Sequence, residues 1–240
     1  MTAAASEVLL ESLATTLSSP GLFFAVMLTV KTAAAASIGF LFLAPPLAWL
    51  FARRRGAVVR ILSFLTTLPL VFPPVALGYI LMLLLGRRGP LGSLLDAAGV
   101  SFLFTPAACA LAAFIAGLPL VIRPLQAAFS GERLKELEAA ALLCGASKRV
   151  VFFRVTLPLL RPQILSGLLL GASRAMGEVG ITMMVGGNIA DRTNTLSLEI
   201  FNAVSRADFE AATWLCLLLS AATLLIFLVL DLLERRTKSL

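Results

Sequence analysis

The segment 132–162, ERLKELEAAALLCGASKRVVFFRVTLPLLRP, decides how the rest of this chain is organised, because it is a long charged insert between two apolar runs. It divides into two short helices. Gly145 supplies the left-handed conformation that commonly ends a helix, Ser147 can cap the helix that follows, and Pro158 limits how far that second helix runs. The expected product is a compact helical hairpin over 131–160. Leu134, Leu137 and Leu142 give it an apolar side that could pack on the chain's own helices or dock into a groove on a partner.

On either side of this insert the chain is far more apolar than a soluble domain. Of its 240 residues 59% are hydrophobic and 14% charged, and the mean hydropathy is +0.97, against roughly 45–50% apolar residues in an average soluble protein. A spanning helix needs about 20 mainly apolar residues, since each adds about 1.5 Å to cross a layer about 30 Å thick. Five runs qualify, at about 22–50, 61–85, 103–122, 163–185 and 211–232. Unpaired backbone groups are costly in lipid, and the runs are too long and unalternating for barrel strands. The fold class is therefore all-α: a polytopic membrane protein with five transmembrane helices.

The positions of the basic residues set the orientation. With the N-terminus outside and the C-terminus inside, 14 of the 20 Lys and Arg residues fall on the cytoplasmic side and only Arg87, Arg88, Arg192 and Arg206 outside, while Lys31 and Arg174 lie within spans. This is the positive-inside bias, and it places the 131–160 hairpin in the cytoplasm. The same bias accounts for the net charge of +7 without nucleic acid as a partner. No Ser, Gly or Pro linker divides the chain and no fixed-period repeat is visible, so one membrane domain is expected over 22–234. An external tail at 1–21 and a cytoplasmic tail at 235–240 flank it. The first 21 residues lack a basic n-region and a strong apolar core, so no cleaved signal is expected there.

Several chemistries are unsupported. Cys109 and Cys216 fall in spans and Cys144 in the hairpin, so free thiols are expected rather than a disulfide. The chain has no histidine, which removes the commonest metal ligand and general base, and no metal site is expected. It has no Gly-Lys-Ser/Thr phosphate loop, so ATP hydrolysis would have to reside on another chain. An intramembrane enzyme acting on lipid would have to work with Arg174, Glu178 and Asp231, which form no cluster of carboxylates and include no nucleophile with its base. A passive channel would have no use for the hairpin.

Embedded polar residues and helix breakers mark where a pathway could run. In LPLVFPPVALGY, Pro69, Pro73 and Pro74 each remove a backbone donor, so the second span must be kinked or broken. Broken backbone at membrane depth survives only against protein or a wet cavity, which puts Pro73 and Pro74 beside a pathway or in a packed kink. Arg174 and Glu178 lie near the middle of the fourth span, where an ionised side chain costs about 2.5–3.5 kcal/mol on insertion scales. Their spacing of four allows them to pair, either to fix helix packing or to line a gate. Gly171, Gly177 and Gly180 nearby would let neighbouring helices approach closely. Lys31 is the third embedded charge, able to snorkel to the interface or to meet a passing anion. The outer segment 186–210 is too polar to span, yet Leu196, Ile200 and Val204 repeat every four residues as in a helix that packs on protein, either as a lid or as a connector.

These segments resemble those of the type I permeases of ABC importers. The order Glu138-Ala139-Ala140, Gly145, Leu157-Pro158 resembles the EAA loop by which such permeases dock onto their ATPase. LPLVFPPVALGYILMLLLGRRGPLG and SRAMGEVGITMMVGGNI are similar to the oxyanion branch, and within it to the molybdate permeases, over about 25–236. The resemblance implies an ATPase-coupling region at Glu138, Ala139, Ala140, Gly145, Ser147 and Lys148. It also implies a translocation pathway or gate among Lys31, Pro73, Pro74, Arg174, Glu178 and Asn188. In the general pattern the glutamate precedes the glycine by six positions, whereas here Ala139 stands there and Glu138 comes seven before Gly145. After Gly-Asn-Ile, Ala190-Asp191 replaces the Pro-Gly often found in the family.

The resemblance further implies a bacterial inner-membrane importer that moves molybdate by alternating access, with tungstate or sulfate as alternatives. Its partners would be a second permease copy in a homodimer, two cytoplasmic ATPase subunits that carry the ATP and Mg, and a periplasmic oxyanion-binding protein. No cofactor would sit in this chain. The charges agree on one point: the outer segments carry four basic residues against seven acidic ones, so the outer face would not draw in a dianion unaided.

Overall fold

The computed structural model describes residues 20–238, and all that follows concerns those residues; residues 1–19 of the expected tail at 1–21 and the last two residues of the expected cytoplasmic tail lie outside them. The described chain is all-helical. Its elements are α1 (Pro20–Arg53), α2 (Ala57–Val71), α3 (Pro74–Leu85), α4 (Gly92–Ala97), α5 (Pro106–Ser130), α6 (Glu132–Leu143), α7 (Lys148–Val151), α8 (Leu157–Leu159), α9 (Arg161–Met176), α10 (Gly180–Gly186), α11 (Leu196–Ser205) and α12 (Phe209–Lys238). A π-helical turn, Phe152–Thr156, joins α7 to α8.

Three helices are long and apolar enough to cross a membrane unaided: α1, α5 and α12. The other two expected spans are each interrupted. The run 61–85 becomes α2 and α3, separated at Phe72 and Pro73, as its prolines require. Pro74 then opens α3 in the first-turn position where a missing N–H costs nothing. The run 163–185, expected to be continuous, ends as α9 at Met176 and resumes as α10 at Gly180.

The core forms where α1, α5 and α9 meet. Phe40, Ala44 and Ala48 of α1 pack with Ala113, Val121, Ile122 and Leu125 of α5 and Ala175 of α9, and the Phe40 and Phe114 rings stack at 5.4 Å. Small residues make this approach possible: a Cβ on Gly171 of α9 would lie 2.5 Å from Val121 Cγ2 and 3.0 Å from Phe40. A second close contact joins the two halves that follow the breaks. A Cβ on Gly180 would stand 2.7 Å from Pro74 Cβ, and one on Gly78 of α3 would stand 2.9 Å from the Ile181 Cα of α10. Gly177 makes no such approach and serves as the end of α9.

Those distances define a first prediction. Gly78→Val should overpack the α3–α10 contact at a cost of about 1–3 kcal/mol, lowering the Tm of the purified chain by several degrees. An unchanged Tm would show that the two half-helices separate freely.

Candidate functional site: a broken-helix centre and a helical hairpin

The break between α9 and α10 is built around one carboxylate. Glu178 is almost fully buried, and its Oε2 receives the Arg174 Nη1 at 2.6 Å. Its Oε1 accepts the backbone N–H of Ile181 at 2.7 Å, so the side chain stands in for the carbonyl that an unbroken helix would offer. A negative charge at that position also suits the positive end of α10. On the other side of the gap, the Met176 carbonyl, left over at the end of α9, accepts a hydrogen bond of 2.5 Å from Ser197 Oγ. Glu178 and Ser197 thus each take up one backbone group that the break leaves open.

The segment 186–210 is tied to this centre at several points. Thr29 Oγ1 of α1 accepts the Leu196 N–H at 2.8 Å, fixing the start of α11 against α1. Thr193 Oγ1 donates to the Gly186 carbonyl at 2.7 Å and accepts from the Ile189 N–H at 2.9 Å. Asn188, in a left-handed turn with φ 50°, donates from Nδ2 to Asn202 Oδ1 at 2.7 Å. Glu199 gathers Asn194, Asn202 and Arg206 around its carboxylate. Of the expected four-residue stripe, Leu196 is buried, Ile200 is partly covered and Val204 is about half exposed. The helix is therefore held to the subunit at both ends, by Leu196 in its first turn and by the fully buried Ala203 in its last, while Val204 turns outward.

The hairpin has the parts expected of it. α6 ends at Leu143, Gly145 takes φ +84°, and Ser147 Oγ accepts the Val150 N–H at 3.4 Å as the cap of α7. Pro158 does not end the second arm. The chain has already loosened into the π-turn, whose longer bonds remove the demand for an N–H at Pro158, and the Leu157 N–H reaches back to the Phe152 carbonyl. The arm continues to Leu159 and meets α9 at a bend of 59°. The apolar side of α6 is divided: Leu134 is buried in the α1–α5–α9 core, while Leu137, Leu142 and Leu143 are exposed, Leu143 at 89%.

The candidate residues therefore fall into separate groups. Ala139, Ala140, Gly145, Ser147 and Lys148 are all exposed on the hairpin. Glu138 is not, for it turns inward and pairs with Arg53 at 2.6 Å. Pro74 is brought against Gly180, two residues from Glu178, so the two helix breaks adjoin, and Pro73 and Pro74 are exposed beside them. Asn188 lies beyond α10, with Asn202. Lys31 projects from α1 into the open and joins neither group. Thr29, Ser197 and Arg53 were not singled out from sequence. Isolated hydroxyls within apolar runs carry no spacing signal, and Arg53 read only as one of three consecutive arginines.

Comparison with known proteins places these features in a family. Residues 44–239 match the family described as binding-protein-dependent transport system inner membrane component. The chain is 36% identical over 192 residues to the molybdenum transport system permease protein ModB of Azotobacter vinelandii, covering 80% of this chain and 84% of that one. It is 41% identical over 205 residues to ModB of Mycobacterium tuberculosis, covering 85% and 76%. A crystal structure of a bacterial ABC transporter involved in the import of the acidic polysaccharide alginate shares the fold, with a TM-score of 0.72 at 20% identity over 94% of this chain and 83% of that one. The family match runs from the C-terminal part of α1 to the end of α12 and takes in both broken helices and the hairpin, so this chain belongs to the inner membrane components of binding-protein-dependent transport systems.

Proposed function

We propose that this chain is the permease subunit of an ATP-driven importer that carries molybdate across the bacterial inner membrane, and that it works as a homodimer with two cytoplasmic ATPase subunits and a periplasmic binding protein. The observation that carries the transport mechanism is the hairpin tip. Leu142, Leu143 and Cys144 are exposed around the Gly145 turn, while Leu134 at its root is locked into the membrane core. An apolar tip on a rigid stem is the form that fits a partner's groove and can transmit its movement. Gly145, Ser147 and Lys148, with Ala139 and Ala140 along α6, are the contact residues. Similarity to the molybdenum permeases supports the choice of cargo.

The span count and orientation follow from the same reading. From Lys31 to Arg53, α1 rises about 33 Å at about 1.5 Å per residue, close to one hydrocarbon thickness, with Lys31 at the outer boundary and Arg53 at the inner one. Paired in this way, α2 with α3 and α9 with α10 each cross once, making five spans with the N-terminus outside and the hairpin inside. The two adjoining breaks, at Pro73–Pro74 and at Gly177–Val179, then lie at membrane depth, where irregular backbone belongs beside a pathway. The exposed prolines line it, the Arg174–Glu178 pair holds its wall, and Asn188 with α11 forms the outer gate.

Uptake of labelled oxyanions by cells lacking this chain tests the cargo. Loss of molybdate accumulation with sulfate uptake intact is expected. Loss of sulfate or tungstate uptake with molybdate uptake intact would replace the assignment.

A further inference from the structure

The inward turn of Glu138 assigns it a task different from docking. Its Oε2 accepts a hydrogen bond from Arg53 Nη2 at 2.6 Å, 85 residues away at the end of α1. Its Oε1 accepts one from Thr156 Oγ1 at 2.7 Å, in the π-turn of the other hairpin arm. One carboxylate thus ties together α6, the return arm and the inner end of the first long helix. Both ends are partly or fully withdrawn from solvent: Glu138 and Arg53 have side-chain exposures of 20% and 23%, and Thr156 is buried. Arg53 Nε is buried and makes no hydrogen bond among the described residues, so the guanidinium is oriented through its contact with Glu138.

The location matters mechanically. Beside the tie, Pro45, Pro46 and Trp49 of α1 face Leu142, Lys148 and Phe152 across an open groove of about 450 Å³. Packing does not hold the hairpin to α1 there. What does is the charge-assisted Arg53–Glu138 hydrogen bond, while the Thr156–Glu138 bond ties the two hairpin arms together; bonds of this kind are about twice as strong as neutral ones and geometrically directed. The π-turn supplies the second bond by presenting Thr156 inward one position before the helix resumes.

We propose that Glu138, Arg53 and Thr156 form a latch within this subunit: Glu138 is a positioning residue that makes the hairpin move as one body with α1, and it is not a contact to the ATPase. The mechanical consequence rests on the docking reading above, whereas the latch itself does not. Two measurements separate them. The first uses the full-length chain without ATPase, carrying Cys216→Ser and spin labels on native Cys144 and on Arg54→Cys, diluted with unlabelled chain. A narrow distance distribution is expected, broadening in Arg53→Ala, Glu138→Ala and Thr156→Val and narrow again in Thr156→Ser, which keeps the hydroxyl. Unchanged widths in all variants would overturn the latch.

The second measurement uses the assembled transporter. Arg53→Ala and Thr156→Val should keep the ATPase bound on purification while import falls by about tenfold, the scale of one charge-assisted hydrogen bond at about 1.4 kcal/mol per decade. Arg53→Ala combined with Glu138→Ala should be no worse than Glu138→Ala alone, since replacing Glu138 already removes the Arg53 contact. Effects of the two that multiply, with ATPase lost only when Glu138 is replaced, would make Glu138 a docking contact and overturn the proposal. Failure of the unmodified chain to hold any ATPase would sink the docking reading and leave the spin-label result to decide the latch.

Discussion

Glu178→Ala is expected to abolish import and to reduce the amount of folded permease recovered from membranes. Two losses coincide at this position. The Arg174 guanidinium, less than a third exposed, keeps its charge and loses its counter-ion, and breaking a buried pair in this way costs about 3–5 kcal/mol. In addition, the Ile181 N–H loses the acceptor that starts α10, worth about 1 kcal/mol for a helix cap. Glu178→Gln separates the two effects. Its amide oxygen can still accept from Ile181 but no longer balances Arg174, so folding should be milder in its defect than with alanine. Membrane yield, Tm and uptake measured together check the prediction, and a Glu178→Ala permease of normal yield and uptake would show the carboxylate to be dispensable.

Gly145→Val should leave the chain folded and membrane-inserted but uncouple import from ATP hydrolysis. At φ +84° the turn lies in the left-handed region, which a β-branched residue occupies only under strain of about 1–3 kcal/mol. A Cβ there would meet nothing within 4 Å, so the penalty is conformational and local. The hairpin can relieve it by opening the turn, at the expense of the tip proposed to meet the ATPase. Reconstituted complexes should then show import reduced about tenfold or more, on the scale of about 1.4 kcal/mol per decade, relative to Gly145→Ala, which is strained less. Import equal to the unmodified chain would mean that the turn's shape does not carry force.

How much of this was legible in the sequence depends on the kind of signal. The all-α class, the long helices α1, α5 and α12, the hairpin's glycine turn and its serine cap follow from hydropathy and from residues with strong local preferences. The second interruption was legible only in part. Pro73 and Pro74 announce theirs, but the one at Gly177–Val179 arises because a buried glutamate replaces a backbone carbonyl, and the same Arg-x-x-x-Glu spacing fits an unbroken helix equally well. The π-turn was hidden for a similar reason: Pro158 signals a stop, yet the chain absorbs the missing N–H by loosening the turn before it.

The partition of polar residues was the least visible. Glu138 sits among alanines in a pattern that suggests an outward-facing contact, and its partner Arg53 is 85 residues away, a separation that no local pattern spans. Ser197 and Thr29 likewise act through the tertiary fold, one holding the end of α9 and the other the start of α11. Sequence placed the proline break and the hairpin; the three-dimensional arrangement was needed to show the second break and that the two adjoin at Pro74 and Gly180.

A separate ATPase that grips the hairpin tip, as proposed, must lie within crosslinking reach of it. Thiol-specific crosslinking of a transport-competent complex tests it most directly, from native Cys144, which is exposed, and from Ser147→Cys on the far side of the turn. Crosslinks from both positions to the ATPase chain, altered by ATP, are the predicted result. A complex that imports its anion at the normal rate while neither position ever reaches an ATPase would contradict it.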